Sequence, residues 1–217
     1  VSQTVIEHLA GMRIAGVETG AQFAERVNAQ VATGCGPISV VSPLAPLLPS
    51  GGLERGYVYG CTGDAATSLL FALVASATST GSWLAMVNMA RAGLMSAHEH
   101  GVALHRILCV SAENTSATMS QVLGALVDGL DVVAVSSPVC SASDARRVVA
   151  RAKAQGAVLF VLGDPGGFSI DASFSARTEQ WQFDTHAHSR TVTVGASGRR
   201  VYAHRSCSVQ LPIGSGR

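Results

Sequence analysis

Five short runs of this sequence are apolar almost without a break, and each is separated from the next by a stretch with helical spacing. The runs are Tyr57–Gly60, Trp83–Val87, Arg106–Ser111, Asp131–Ser136 and Ala157–Leu162. A strand with one wet face alternates apolar and polar residues; a run apolar throughout needs cover on both faces, as in a parallel sheet. The intervening helical segments are Ala65–Ala77, Leu94–Gly101, Thr115–Asp128 and Ser143–Gln155. The third carries Met119, Val122, Leu123 and Leu126 toward the core, and the fourth Val148 and Val149. Strand–helix alternation of this kind predicts an α/β fold with a doubly wound, mainly parallel sheet. In that class, ligands sit beyond the carboxyl ends of the strands.

The flanks read differently. Residues 1–38 are expected to form an N-terminal helical arm: Thr4-x-x-Glu7 is a capping-box pattern that places Val5, Leu9 and Met12 on one face. Thr19-x-x-Gln22 repeats the pattern before Phe23, Val27 and Val31. Residues 39–165 form the expected core, entered through the Pro/Gly-rich connection 43–57. Residues 166–217 contain Gln180–Phe183, Arg190–Val194 and Arg199–His204, which alternate apolar and polar side chains and predict C-terminal antiparallel strands that extend the sheet. The last residues, 212–217, read as a flexible end.

Composition removes several classes of function. With 13% charged residues and a net charge of +1 the chain has no global field for gripping nucleic acid or anionic lipid. Its five cysteines, at 35, 61, 109, 140 and 207, are odd in number and form no C-x-x-C pair, which argues against a disulfide scaffold or a zinc ribbon. No secretory pattern opens the sequence. The charge-free stretch Ala65–Ala90 is broken at its centre by Ser76–Gly81, so a buried helix, a turn and a strand are expected there instead of a membrane span, and the chain is expected to be cytoplasmic. His98/His100 and His186/His188 lack an evident third ligand, with Asp184 the one candidate beside the second pair, so no metal is expected. Cys61 has no His close in sequence to act as its base, and Ser136–Cys140 reads as a strand-end loop.

The most informative motif is Gly60-Cys-Thr-Gly-Asp-Ala-Ala-Thr-Ser68, which leaves the first core strand and opens the first core helix. A strand, a Gly-containing loop and a helix start make the scaffold of a P-loop. In the pattern G-x-x-x-x-G-K-[ST], glycines let backbone N–H groups wrap phosphates, the Lys neutralises their charge, and the hydroxyl holds Mg²⁺. Here Gly60 fills the first glycine position and Thr67 the hydroxyl position, but Ala65 replaces the second glycine and Ala66 the lysine. Fourteen of the fifteen basic residues are Arg, and the single lysine, Lys153, is far along the chain, so no shift of frame restores the cation. Asp64 adds a negative charge where phosphates would lie, with Gly63 before it and Ser68 closing the motif. Tight nucleotide binding is not expected. An ordinary strand-to-helix turn that never held phosphate gives the same residues.

Residues about 39–163 resemble the RecA core, and more closely the RecA-like ImuA-type family of actinobacteria. The likeness is carried by Gly51-Gly-Leu-x-x-Gly56, the Tyr57–Gly60 strand, the loop 60–68, Gly81-Ser-Trp-Leu-Ala-Met86, Val127-Asp-Gly-Leu-Asp-Val-Val133, and a tail with Trp181 and an Arg-rich hairpin. The resemblance implies that Ala90 stands where RecA has its water-activating Glu, and Ser136 where it has the Asp that supports Mg²⁺. Ser brings no charge to a metal. Gly163-Asp-Pro-Gly-Gly167 replaces RecA's mobile DNA-binding loops by a short turn. Cation, water-activating carboxylate and metal-supporting carboxylate are all missing, so a non-catalytic pseudo-ATPase with no cofactor is expected. By the same resemblance its role is that of an accessory or scaffold protein in DNA-damage-induced (SOS) mutagenic translesion synthesis, with an ImuB-type polymerase homologue as partner. Arg190, Arg199, Arg200, Tyr202 and Arg205 are the candidate partner or DNA contacts, and Val5, Leu9 and Met12 the candidate self-association residues. Two other readings stand beside it: a weak nucleotide-dependent enzyme using Gly60, Gly63, Thr67 and Ser68, and a direct DNA-binding module using the tail arginines. On the helix, Arg146, Arg147, Arg151 and Lys153 form a second basic group.

Overall fold

The computed structural model describes residues 36–183 and 187–213. The N-terminal arm, including Val5, Leu9 and Met12, lies outside the described residues, as does the 214–217 end. The rest is an α/β protein built on one eight-stranded sheet. Its parallel part comprises β3 (Val58–Thr62), β4 (Leu84–Val87), β5 (Ile107–Val110), β6 (Val132–Ser136) and β7 (Val158–Leu162). Three long strands complete it: β8 (Ala172–Phe183), β9 (Ala187–Gly198) and β10 (Val201–Leu211). The spatial order is β10-β9-β8-β3-β7-β6-β4-β5. A separate two-stranded antiparallel pair, β1 (Ile38–Ser39) with β2 (Gly52–Leu53), sits in the connection leading into β3.

Side chains alternate sides along each central strand, and both sides are buried. Tyr59, Cys61, Leu84, Met86, Ala134, Phe160 and Phe174 face one core; Val58, Ala85, Val87, Val133, Val135, Leu159 and Val161 face the other. The first core is roofed by α1 (Ala66–Ser79) and α2 (Leu94–Glu99), and the second by α3 (Ser116–Gly129) and α4 (Ala142–Gln155). α1 is buried on almost every side, which is why its sequence is apolar all round. α3 and α4 start at side-chain caps: Thr115 Oγ1 accepts from the Thr118 N–H, and Ser141 Oγ from the Asp144 N–H. The Asp144 carboxylate then accepts from Ser116 Oγ at 2.6 Å and Ser141 Oγ at 2.8 Å, tying the two helix starts together. Gly156, with φ +70°, ends α4 in the left-handed conformation.

At the amino ends of the strands, two buried carboxylates hold the chain. Asp171 accepts from the Val58 N–H at 3.1 Å, and Asp131 from the Trp83 N–H at 3.1 Å and from Arg55 at 3.3 Å. The stacked rings of Tyr59, Phe160 and Phe174, with centroids 5.4 and 5.6 Å apart, form the centre of the first core. Burial pushes the Tyr59 phenol up from its ordinary value, and its oxygen accepts from the Glu54 N–H at 2.8 Å.

The structure departs from the sequence expectations at four points. β5 is not covered on both faces: it is the outer strand, and Leu108 and Cys109 are exposed. The tail strands are about two to three times as long as their sequence signals, and β8 begins at Ala172, not Gln180. The tail is also not antiparallel throughout, because β8 runs parallel to β3 and only β9 and β10 reverse direction. On α3, Val127 is buried while Val122 and Leu126 are only partly so, which turns the inner face slightly from that expected. Among the described residues no helix is long and apolar enough to cross a membrane; the charge-free stretch divides into α1, a turn and β4.

Phe160→Ala leaves a cavity between Tyr59 and its neighbours and is expected to cost about 3–5 kcal/mol in chemical denaturation. His100 is buried and donates from Nδ1–H to the Ser96 carbonyl, 2.7 Å away, while its Nε2 has no partner. Phe71 packs on the ring, Glu99 adjoins it and the Arg190 cation acts on it; burial, the largest influence, lowers its pKa from 6.5. The unfolded chain therefore binds a proton first, so stability is expected to fall as pH drops below about 6.5, until the folded state also titrates. Asp64 and Asp144, whose pKa values are lowered from 3.8, add their own losses only at more acid pH. Melting temperatures between pH 7.5 and 5 for the wild type and His100→Gln, the variant expected to be flatter, measure this.

Candidate functional site

The loop 60–68 occupies the carboxyl end of β3, in the middle of the sheet. Its geometry is set by β8. The last β3–β8 pair is Thr62 with Ser175, so the remaining eight residues of β8, 176–183, run on past the end of β3 and pair with β9. At about 3.3 Å per residue the hairpin projects roughly 26 Å beyond that edge. The loop turns directly against this extension. Gly63 has φ +97°, and a Cβ there would overlap the carbonyl oxygen of Ala176. The N–H of Ala65, one of the amides that a phosphate would need, is instead donated to that same carbonyl at 3.2 Å. Ala65 is fully buried and Ala66 nearly so.

Side chains complete the closure. Asp64 accepts from the Thr178 N–H at 3.1 Å, and hydrogen bonding from Thr178, with Arg190 beside it, holds its carboxyl below the usual carboxylate range. Arg190, on β9, donates to Ser68 Oγ at 2.7 Å and to Thr178 Oγ1 at 3.0 Å, and lies 3.9 Å from Asp64. The Trp181 ring covers the guanidinium at 4.8 Å, and the Arg190 side chain is 13% exposed. A cation from the tail thus stands over the first turn of α1, its donors directed at the loop and at β8. Cys61, at the root of the loop, is fully buried and its thiol is pushed up to about 12, so it stays protonated and is a poor nucleophile.

The other predicted positions lie along the same carboxyl edge. Ser136 ends β6, separated from β3 by β7 alone, and pairs with Leu162. Ala90 is exposed in the turn after β4. Two non-glycine residues with positive φ mark this edge, Asn88 (54°) after β4 and Ser137 (41°) after β6. Each is held by its neighbours: Asn88 donates its N–H to Val110 and accepts from the Ala112 N–H, and Ser137 donates its N–H to Leu162.

The tail arginines, grouped together in the sequence, do not form one cluster in space. Arg190 lies at one end of β9, and Arg199 and Arg200 in the turn at the other. Arg199 donates to Ser169 at 2.6 Å, Arg200 covers Tyr57 at 5.5 Å, and Arg205 donates to the Pro46 carbonyl at 2.8 Å. Tyr202 lies in β10. Arg190 is corrected from a candidate outward contact to an inward one. Thr178 and Trp181 were missed as loop partners; no spacing rule links them to a loop over a hundred residues earlier. His98 and His100 lie in and just after α2 without converging on a metal set, and among the described residues no group of three or more potential ligands occurs.

The fold and this loop define a class: α/β proteins with a mainly parallel sheet whose central strand–loop–helix is closed by the chain's own C-terminal hairpin. A family model described as the MT3502 N-terminal domain matches residues 46–166, more than half of the chain, and the protein belongs to that family. It is also 34% identical over 159 residues to an uncharacterized protein of Mycobacterium tuberculosis, Rv3395c, across 70% of this chain and 76% of that protein. The family segment ends before β8, so Thr178, Trp181 and Arg190 lie outside it.

Gly63→Ala is expected to destabilise by about 2 kcal/mol or more, because the new Cβ meets backbone and the φ is unfavourable. Arg190→Ala removes two charge-assisted hydrogen bonds and is expected to cost about 1–3 kcal/mol. Urea denaturation followed by circular dichroism measures both.

Proposed function

We propose that this chain is a RecA-like protein of ImuA type that has ceased to be an ATPase. In this reading it acts as an accessory or scaffold for an ImuB-type polymerase homologue in damage-induced mutagenic translesion synthesis. The observation that carries the non-catalytic part is the closure of the loop: the Ala65 amide is bonded to Ala176 and Ser68 is bonded to Arg190. A triphosphate bound there would have to displace both while meeting the Asp64 carboxylate, with no lysine to compensate. Ala90 and Ser136 supply neither a base for water nor a charge for Mg²⁺. The position of the loop on a central parallel strand, with the β6 end one strand away, supports the RecA-like part of the reading. The ImuA-type role and its partner rest on the sequence resemblance.

The projecting hairpin is the surface best suited to a partner. Phe183 is 69% and Trp181 47% exposed, their rings 6.3 Å apart. Exposed aromatics of this kind are common anchors of protein interfaces. Removing the tail would dismantle the sheet, so point variants are the sound test. Phe183→Ala is expected to keep its melting temperature and to reduce co-purification with the ImuB-type partner; undiminished capture would overturn the hairpin assignment. Equilibrium titration with labelled ATP and Mg²⁺ is expected to reveal no site that depends on Thr67. Micromolar affinity abolished by Thr67→Ala would favour the nucleotide-dependent enzyme instead.

A further inference from the structure

The two basic groups of the sequence, one on α4 and one in the tail, meet in a place that neither predicts. Arg151 reaches across to Asp128 of α3, and Arg147 pairs with Asp144 of its own helix. Arg146 and Lys153, seven residues apart and hence about 10 Å along the helix, lie on another face. That face borders a groove of about 310 Å³ between α4 and the link from β7 to β8, and Arg199 reaches it from the β9–β10 turn. The groove is on the α3–α4 side of the sheet, opposite the α1 side on which the closed loop is held.

We propose that this groove binds a small organic phosphate. Three cations border it, and one hydroxyl, Ser169, lies beside Arg199. The carboxylate in the groove, Asp171, is already engaged by the Val58 N–H and lies 4.0 Å from Arg199, which leaves the site net positive. Arg146 uses Nε on the Ala142 carbonyl, so its terminal nitrogens remain for a ligand, and two guanidinium groups suit the paired oxygens of a phosphate. The floor is small and apolar, with Val149 and Ala150, and Gly167 brings the far bank close: a Cβ there would lie 2.5 Å from the Cys140 carbonyl oxygen. A volume near the lower end of small-ligand sites, cations around the rim and an apolar floor match a phosphate carried on a compact organic body. Three cations and a near-neutral chain do not make the continuous track that a nucleic-acid strand requires. The inference does not depend on the accessory-protein reading, because it concerns the opposite face.

Isothermal titration of the full chain with ADP and with inorganic pyrophosphate, at low salt and without Mg²⁺, tests it. ADP is expected to bind, and more tightly than pyrophosphate because its organic part covers the floor. Arg146→Glu/Lys153→Glu is expected to weaken ADP at least about tenfold with the melting temperature retained. Arg199→Ala, a milder change, is expected to weaken it in the same direction, and Thr67→Ala to leave it unchanged. No ADP binding to the wild type, full affinity in the double variant, or a loss that follows Thr67 would each overturn the proposal. Pyrophosphate binding as tight as ADP would overturn the organic part of it. Affinity for single-stranded DNA that rises with strand length and is lost in the double variant would replace it by nucleic-acid binding.

Discussion

The contact on which the rest of this molecule depends is between two backbones, at Gly63 and Ala176. There the loop after β3 presses so closely on β8 that no side chain fits, and the Ala176 carbonyl takes the Ala65 amide. Chemically this is an ordinary hydrogen bond. Its effect is large because of where it falls. In an open α/β sheet the amides at the start of the first helix are the natural seat of an anion. Here the chain's own tail has spent one of them, and Arg190 has taken the neighbouring hydroxyl. The tail and the loop therefore form one unit, although they are distant in sequence.

Charge is used sparingly, and two of the arginines are turned inward. With 13% charged residues, Arg55 and Arg190 serve as internal ties, to Asp131 and Asp64, while Arg151 and Arg199 reach Asp128 and Asp171 from the surface. Arginine suits this work because its planar fork satisfies two or three acceptors at once and is less strongly hydrated than an ammonium. That use explains why basic residues grouped in sequence are dispersed in space. It also explains why a reading that treats them as one outward patch fails for Arg190.

The central fold was legible because a parallel strand covered on both faces leaves an unambiguous run, as in Val132–Ser136 and Val158–Leu162. The missing lysine and the Asp64 carboxylate were legible because the loop pattern assigns each place a chemical task. The first half of β8 was not. Ala172, Ser173, Phe174, Ser175 and Ala176 alternate correctly, but small residues give a weak contrast between the two faces. The parallel pairing of β8 with β3 was hidden as well, since alternation reports burial and not direction. β5 was read as fully covered because its residues are apolar; nothing in Ile107–Val110 reveals that it lies at the rim. The closure of the loop depends on partners more than a hundred residues away, and no local pattern encodes a contact at that range.

The indole of Trp181 rests on the guanidinium that fastens the loop. The chain has two tryptophans, and the other, Trp83, lies beside β4 across the sheet. The emission of one natural fluorophore is thus coupled to whether the hairpin is seated, and the protein carries its own optical gauge of that state without any label.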